Sequence, residues 1–158
     1  MLEVRRIKPE MTYNLRHIVL RPYQSIEDCK SNTDHEDNAF HVGAFYQENL
    51  ISVASFCTET HSDFHIDKQY RLRAMATLED FRNLGAGRAV VNYAENIIKE
   101  KDINFLWCKG RTAVQGYYNK LGFESYGEVF DYPPIGLHII MYKILRGKEL
   151  IKLLEVCQ

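Results

Sequence analysis

The spacing of hydrophobic and polar residues predicts strands and helices that alternate along the chain. Apolar residues that alternate with polar ones, or that form a short run, are typical of strands, and apolar residues three and four positions apart are typical of helices. The predicted strands are residues 2–7, 39–46, 50–57, 70–77, 104–108, 123–130 and 136–144. The predicted helices are residues 13–20, 86–101 and 112–121, with an amphipathic helical pattern at 148–156.

The connections between these segments indicate how the strands pair. Gln47, Glu48 and Asn49 alone separate the second and third strands, which is the length of a hairpin connection, so these two strands should pair antiparallel. The strand–helix–strand order between residues 70 and 108 predicts one parallel crossover. The expected fold class is therefore α+β, a mixed α/β sandwich whose central sheet is flanked by helices. Residues 27–38 are polar, mostly acidic and without periodicity, and we interpret them as a solvated loop.

Length and composition restrict the class of protein. The chain has 158 residues, the usual size of one domain, and we expect a single domain over residues 1–158 with a C-terminal helical tail at 146–158. This tail should either cover the core or contact a second chain in a homodimer. Twenty Lys and Arg against 21 Asp and Glu give a formal charge of −1, so no nucleic-acid partner is expected. No apolar segment approaches the roughly 20 residues that cross a bilayer, so no membrane partner is expected either.

The four cysteines are scattered along the chain and form no C-x-x-C pair. This distribution disfavours both a zinc site and a disulfide framework. His61 and His65 have the spacing of two ligands on a helix, but they lie in a polar stretch between two predicted strands. We therefore expect no metal, and reduced thiols in a cytoplasmic protein.

The most informative segment is the junction between the strand at 70–77 and the helix at 86–101. Gly85 and Gly87 let the backbone turn tightly there and approach a ligand, and the first N–H groups of the helix have no partner within it. Such a helix start favours an anion, above all a phosphate, and nearby arginines add positive charge. The segment lacks the Gly-Lys-Ser/Thr of a Walker loop, and Val90 stands where a dinucleotide fingerprint has its third glycine. A nucleotide-binding protein is therefore disfavoured.

The remaining pattern, Arg-x-x-Gly-x-Gly at residues 82–87, resembles the acyl-CoA-binding segment of the GNAT superfamily of N-acetyltransferases. Residues 114–123 are similar to that family's Ala-x-x-x-Tyr-x-x-x-Gly-Phe element, with Val114 at the Ala position and Tyr118 at the Tyr position. The resemblance covers essentially the whole chain. It implies a central mixed, mostly antiparallel sheet of six or seven strands, with the CoA slot where the strand at 71–77 and the strand at 104–108 splay apart.

The resemblance also implies the reaction and the residues that act in it. The implied function is transfer of an acetyl group from acetyl-CoA to a primary amine by direct attack, without a covalent enzyme intermediate. Tyr118 matches a tyrosine proposed to protonate the departing CoA thiolate, and a phenol carries its proton at neutral pH. The residues implied to bind acyl-CoA are Met75, Ala76, Thr77, Arg82, Asn83, Leu84, Gly85, Ala86, Gly87, Arg88 and Arg111. Arg111 stands where many family members have an asparagine.

The sequence leaves the general base and the acceptor open. Many family members carry a glutamate on the strand before the phosphate loop, but residues 71–77 contain no carboxylate. His138, His41 and Glu79 are the candidate bases, and ordered water is the alternative. Since the strand carboxylate is missing, a non-catalytic acyl-CoA-binding or regulatory module is the second hypothesis, and the presence of Tyr118 argues against it. A small amine, a peptide N-terminus and a protein lysine all remain open as acceptors.

Overall fold

The computed structural model describes residues 1–146, and these fall into two compact units. Met1–Thr58 and Leu72–Ile97 form the first unit, and the second comprises Glu59–Arg71 and the chain from Ile98 onward. The single domain expected over residues 1–158 stays a prediction. Of the tail expected at 146–158, only Arg146 is described, so the predicted helix and homodimer contact lie outside the described residues.

The first unit contains an antiparallel hairpin flanked by a strand on either side. Its strands, in sheet order, are β1 (Leu2–Ile7), β2 (Phe40–Tyr46), β3 (Asn49–Thr58) and most of β4 (Tyr70–Thr77). β2 pairs antiparallel with both β1 and β3. Gln47 and Glu48 join β2 to β3 with φ values of 50° and 68°, and two positive φ values are the geometry of a type I′ hairpin turn. The predicted antiparallel hairpin is confirmed.

Two helices accompany these strands. α1 is short, Tyr13–Leu15, and continues as a π-helical turn over Arg16–Leu20, so the helix predicted at 13–20 is present but irregular. α2 spans Ala86–Glu100, one residue shorter than predicted. The buried residues of α2 recur every three or four positions and include Val90, Ala94 and Ile98. This spacing is the period of an amphipathic helix.

A buried charge pair fixes the segment that follows α1. Arg16 donates to both carboxylate oxygens of Asp34, at 2.7 and 2.9 Å, and both side chains are almost fully buried. Arg16 also donates to the Cys29 carbonyl at 2.8 Å and to Ser55 Oγ at 2.6 Å. The interpretation of residues 27–38 as a solvated loop is therefore wrong for Cys29 and Asp34, because Arg16 draws both into the interior.

The second unit is built on three long strands and a short helix. In chain order these elements are β5 (Phe105–Arg111), α3 (Gln115–Lys120), β6 (Glu124–Tyr132) and β7 (Gly136–Ile144). β7 pairs antiparallel with both β5 and β6, and the start of β4 pairs in parallel with β5. The sheet therefore has seven strands in the order β1-β2-β3-β4-β5-β7-β6. The predicted mixed, mostly antiparallel sheet with one parallel crossover is confirmed.

Each unit has its own apolar cluster. In the first unit Leu15, Val53 and Ala76 form a buried group. In the second unit the corresponding group is aromatic, and its buried members are Phe64, Phe105, Trp107 and Ile140. Large aromatic side chains bury much apolar area at the cost of few rotatable bonds, so this group holds the strands of the second unit together.

Candidate active site

The end of β4 carries the three residues predicted to lie along the pantetheine arm. Met75 and Thr77 are partly exposed, Ala76 between them is buried, and Thr77 Oγ1 lies 2.8 Å from Ser52 Oγ on β3. Immediately before them, Ala74 has a φ of 49°, a left-handed value that is uncommon for a residue other than glycine. The sequence gives no signal for this distortion, because alanine has no preference for that conformation.

The predicted phosphate loop forms the start of α2. Asn83 and Gly85 have φ values of 71° and 77°, so the chain reverses sharply before the helix begins. The Ala89 N–H donates to the Gly85 carbonyl at 3.0 Å, which leaves the N–H groups of the first turn without helical partners. A Cβ added at Gly85 would meet no atom within 4 Å, so the backbone there faces open space.

The side chains around this helix start are mostly at the surface. Arg82, Asn83, Leu84, Gly85 and Arg88 are exposed, whereas Ala86 and Gly87 are buried in the first turn of α2. The structure thus brings residues 82–88 together at one helix N-terminus, with two arginines beside it. The partial positive charge of a helix start and the two guanidinium groups all favour a bound anion.

Tyr118 lies in the second unit, on α3. Its side chain is buried, with its ring edge-on to Phe123 at 5.7 Å, and the position of a Cβ on Gly110 would be 3.4 Å from its ring. No described residue hydrogen-bonds its hydroxyl. Burial raises the pKa of Tyr118 well above its usual value, Cys108 and Tyr117 raise it further, and the charge of Arg111 opposes the shift only in part. The phenol therefore keeps its proton across the neutral pH range.

The three candidate bases differ in how their polar atoms are used. His41 is buried, with Nδ1 2.7 Å from Ser55 Oγ and Nε2 3.0 Å from the Asp34 carbonyl, so both of its nitrogens are occupied. Glu79 is exposed in a short turn before α2. His138 is buried at the start of β7, and only Nδ1 has a partner, the Gly136 carbonyl at 2.8 Å. Of the three, His138 keeps a ring nitrogen that no described residue engages.

The sequence patterns did not indicate the carboxylate of Glu59, which lies near β4. Glu59 follows β3, and its Oε2 accepts a hydrogen bond from Arg71 Nη1 at 2.8 Å. The Arg71 guanidinium stacks on Trp107 at 5.0 Å, and Trp107 Nε1 donates to the Glu59 carbonyl at 2.9 Å. The acidic group is therefore held in an ion pair at the start of β4. The two partners lie twelve residues apart and no motif connects them, so no local pattern could have revealed the contact.

The model of the Acetyltransferase (GNAT) family matches residues 6–123, well over half of the chain. The chain belongs to the GNAT acetyltransferase family. An uncharacterized N-acetyltransferase of Bacillus subtilis strain 168, YitI, is 49% identical over 146 residues, which cover 92% of this chain and 98% of YitI. Membership in the GNAT family supports acyl transfer as the general activity.

Two solved structures with different reported activities share the fold. FeeM, an N-acyl amino acid synthase from uncultured soil microbes, superposes with a TM-score of 0.75 at 12% identity, covering 100% of this chain and 97% of that chain. The ribosomal-protein-S18-alanine N-acetyltransferase from Escherichia coli gives a TM-score of 0.68 at 17% identity, covering 94% and 97%. At these identities the likeness concerns the fold alone.

Some other kinds of site are not found in the described part of this GNAT protein. Within residues 1–146, no three His, Cys, Asp or Glu side chains lie together in a way suited to a metal ion. No helix in that range combines the length and the apolar character needed to cross a membrane. Cys29, Cys57 and Cys108 are buried and form no disulfide with one another, and Cys157 lies outside the described residues.

Proposed function

We propose that this protein transfers an acetyl group from acetyl-CoA to a primary amine. The observation that carries the proposal is the start of α2 in a chain of the GNAT family. There, the backbone at Gly85 faces open space, the first N–H groups lack helical partners, and Arg82 and Arg88 are exposed beside them. A pyrophosphate is the kind of anion that such an arrangement favours.

The proposed contacts to acetyl-CoA follow from this anchor. Residues 82–88 bind the pyrophosphate, and the backbone groups of Met75, Ala76 and Thr77 bind the pantetheine arm and the thioester. Arg111 adds a contact to a phosphate. The partly exposed state of Met75 and Thr77 supports this role, because a strand sealed on both faces offers no room for a ligand.

The proposed reaction is a direct attack. A base first removes one proton from the ammonium form of the acceptor. The amine nitrogen then forms a bond to the thioester carbonyl carbon, the carbonyl π electrons move to oxygen, and their return breaks the C–S bond. Tyr118 gives its proton to the departing sulfur, and water carries the second proton of the attacking nitrogen back to the phenolate. The products are an amide and free CoA, and Tyr118 is regenerated.

The described cysteines do not support a covalent enzyme intermediate. Among the described cysteines, Cys108 lies beside Tyr118, and burial raises the pKa of Cys108 to about 12, although the Arg71 charge opposes the shift. A thiol in this state is protonated at neutral pH and is a poor nucleophile. Direct attack by the amine is therefore the simpler route.

The test joins a binding measurement to a turnover assay. Calorimetry with CoA, with ATP and NAD as competitors, is expected to detect CoA binding that neither nucleotide displaces. Thiol release from acetyl-CoA is then followed across amines, polyamines, amino acids and peptides, with longer acyl-CoA thioesters as alternative donors. CoA binding without turnover on any acceptor would favour the non-catalytic acyl-CoA-binding module, and absence of CoA binding would remove both hypotheses.

A further inference from the structure

A pair of hydroxyl groups joins β3 to the end of β4 in the first unit. Ser52 Oγ lies 2.8 Å from Thr77 Oγ1, and either oxygen could donate at that distance. Ser52 is completely buried, whereas Thr77 is partly exposed. This difference in access to solvent decides the direction of the hydrogen bond.

Ser52 is the donor of the pair. Thr77 is its hydroxyl's hydrogen-bond partner among the described residues, so Thr77 Oγ1 is the acceptor within reach of the Ser52 proton. If Thr77 donated instead, the Ser52 proton would be buried without an acceptor, which typically costs more free energy than one hydrogen bond contributes. The Thr77 oxygen therefore accepts from Ser52. The Thr77 proton is then directed away from Ser52, and no described residue accepts it.

The backbone groups of Thr77 lie on the edge of β4 opposite β3. The Leu78 N–H donates to the Ile51 carbonyl of β3 at 2.9 Å. Successive residues of an extended chain present their N–H and C=O groups to opposite edges, so those of Thr77 face away from β3. On that edge, the register of β4 with β5 covers Tyr70 and Arg71 and stops before Thr77. Thr77 therefore offers an N–H group, a carbonyl oxygen and a hydroxyl proton at one position.

Thr77 also lies just before the proposed pyrophosphate site. Between Thr77 and Arg82 the chain runs through Leu78 and a short turn at Glu79–Phe81. In an acyl-CoA the pantetheine arm follows directly on the pyrophosphate, so an arm that leaves the start of α2 along β4 meets Thr77 first. Pantetheine contains amide groups, whose carbonyl oxygens accept hydrogen bonds from hydroxyl donors.

We propose that the Thr77 hydroxyl donates a hydrogen bond to an amide carbonyl of the pantetheine arm, and that Ser52 is a positioning residue that sets the direction of this donor. This inference rests on the proposed binding of acetyl-CoA. It adds a side-chain contact to the backbone contacts proposed for Thr77. By donating to Thr77 Oγ1, Ser52 keeps the Thr77 proton from turning inward toward β3.

The side-chain contact is tested by calorimetry with CoA. Thr77→Val keeps the shape of the side chain and removes the hydroxyl, so CoA should bind about 3- to 10-fold more weakly, as for the loss of one neutral hydrogen bond. Thr77→Ser keeps the hydroxyl and should bind CoA like the parent protein. Thr58→Val is the control, since Thr58 is exposed at the end of β3, and it should leave the affinity unchanged. Equal CoA affinity in Thr77→Val and the parent overturns the contact.

A double-mutant cycle tests the role of Ser52. Thr77→Val leaves the buried Ser52 proton without an acceptor, so its urea midpoint should fall, and adding Ser52→Ala should raise the midpoint again. CoA affinity should stay low in this double variant, because the Thr77 hydroxyl is still absent. Ser52→Ala alone should weaken CoA binding by at most about threefold, since the hydroxyl then samples three staggered positions instead of one.

The outcomes separate this inference from the proposed function. If the parent protein does not bind CoA, the proposed function fails and this inference fails with it. If the parent binds CoA and the double variant regains both stability and CoA affinity, the proposed function stands, but the effect of Thr77→Val is structural and the hydroxyl contact is removed. A double variant with a midpoint no higher than that of Thr77→Val shows that Ser52 is not the donor.

Discussion

His41 and His138 are both strand histidines, 3% and 4% exposed, yet their polar atoms are used differently. His41 has a partner at each ring nitrogen, Ser55 Oγ and the Asp34 carbonyl. His138 has one partner, the Gly136 carbonyl. Burial is therefore a poor guide to function when it is considered alone. The hydrogen-bonding capacity that the fold leaves unused distinguishes a structural histidine from a candidate catalytic one.

The surroundings of the two histidines extend the contrast. Around His41, the guanidinium of Arg16 makes four hydrogen bonds to Asp34, Cys29 and Ser55, and its Nε alone lacks a partner. Around His138, the rings of Phe130 and Tyr132 lie 6.1 and 5.1 Å from the imidazole ring. Changes in the Arg16 network should therefore act on stability, and changes at Tyr118 should act on catalysis.

The largest expected effect comes from opening the Arg16 network. Arg16→Ala leaves the Asp34 carboxylate buried without its partner, and breaking a buried pair from one side typically costs about 3 to 5 kcal/mol. Urea unfolding is the measurement. Arg5→Ala is the matched control, since Arg5 forms an exposed pair with Glu3 and should lose no more than about 1 kcal/mol. Equal losses in the two variants would show that the network does not hold the first unit together.

The next effect tests the catalytic side of the comparison. Tyr118→Phe keeps the ring and its contact with Phe123 but removes the hydroxyl proton, so kcat should fall about 100-fold or more, roughly 3 kcal/mol of barrier. CoA affinity and unfolding free energy should stay close to those of the parent protein. Tyr117→Phe, on the same helix but 43% exposed, is the control. A Tyr118→Phe enzyme with near-normal kcat would mean that water protonates the thiolate.

The regular part of the fold could be predicted from sequence. β4 and β7 have the predicted bounds, and α2 differs by one residue, because each has a sustained period of two or of 3.6 residues. β5 was predicted to end at residue 108 and extends to Arg111, since pairing with β7 continues through residues without apolar alternation. Hydrogen bonding to β7 therefore extends β5 beyond its apolar residues.

The residues of the candidate site could be predicted from sequence only where they belong to a short motif. The glycine loop at 82–88 and Tyr118 belong to short motifs, and the structure places them at a helix start and on a buried helix face; their roles toward CoA stay predictions. The Arg16–Asp34 pair joins residues 18 apart, and the pairing of His138 with Arg111 depends on strand register. Neither leaves a trace in a local pattern, because each arises from tertiary packing.

A smaller effect separates backbone strain from ligand contact. Gly85 and Gly127 have nearly equal φ values of 77° and 75°, and a Cβ at either would meet no atom within 4 Å. Gly85→Ala and Gly127→Ala should therefore each lose about 1 to 2 kcal/mol of stability from the left-handed backbone. Only Gly85→Ala should also weaken CoA binding in calorimetry, because its methyl group would stand in the proposed pyrophosphate site. Equal CoA affinity in the two variants would remove the anion site from the start of α2.

The smallest expected effect is the pH dependence of the buried network. Burial lowers the pKa of His41, and the Arg16 and His35 charges lower it further, while the Asp34 carbonyl and carboxylate oppose the shift. Burial by itself would raise the pKa of Asp34, but the Arg16 hydrogen bonds and charge, with the Ser31 N–H, outweigh it and hold that pKa below its usual value. For both groups the unfolded chain binds protons more readily than the folded one, so the unfolding free energy should fall as the pH decreases.

The two groups act in different pH ranges, which lets His41 be tested separately. An unfolded histidine titrates near pH 6.5, so the His41 contribution is fully present at about pH 7.5 and decreases below about pH 6.5. The Asp34 contribution persists until the pH falls below about 4. Between about pH 7.5 and 5.5, His41→Gln should therefore lose less stability on acidification than the parent protein, and the exposed control His65→Gln should behave like the parent. The comparison is between slopes, so a lower overall stability of His41→Gln does not affect it. If His41→Gln and the parent lose the same stability over this range, His41 takes up its proton as readily in the folded protein as in the unfolded chain. Its two buried hydrogen bonds then do not distinguish it from His138.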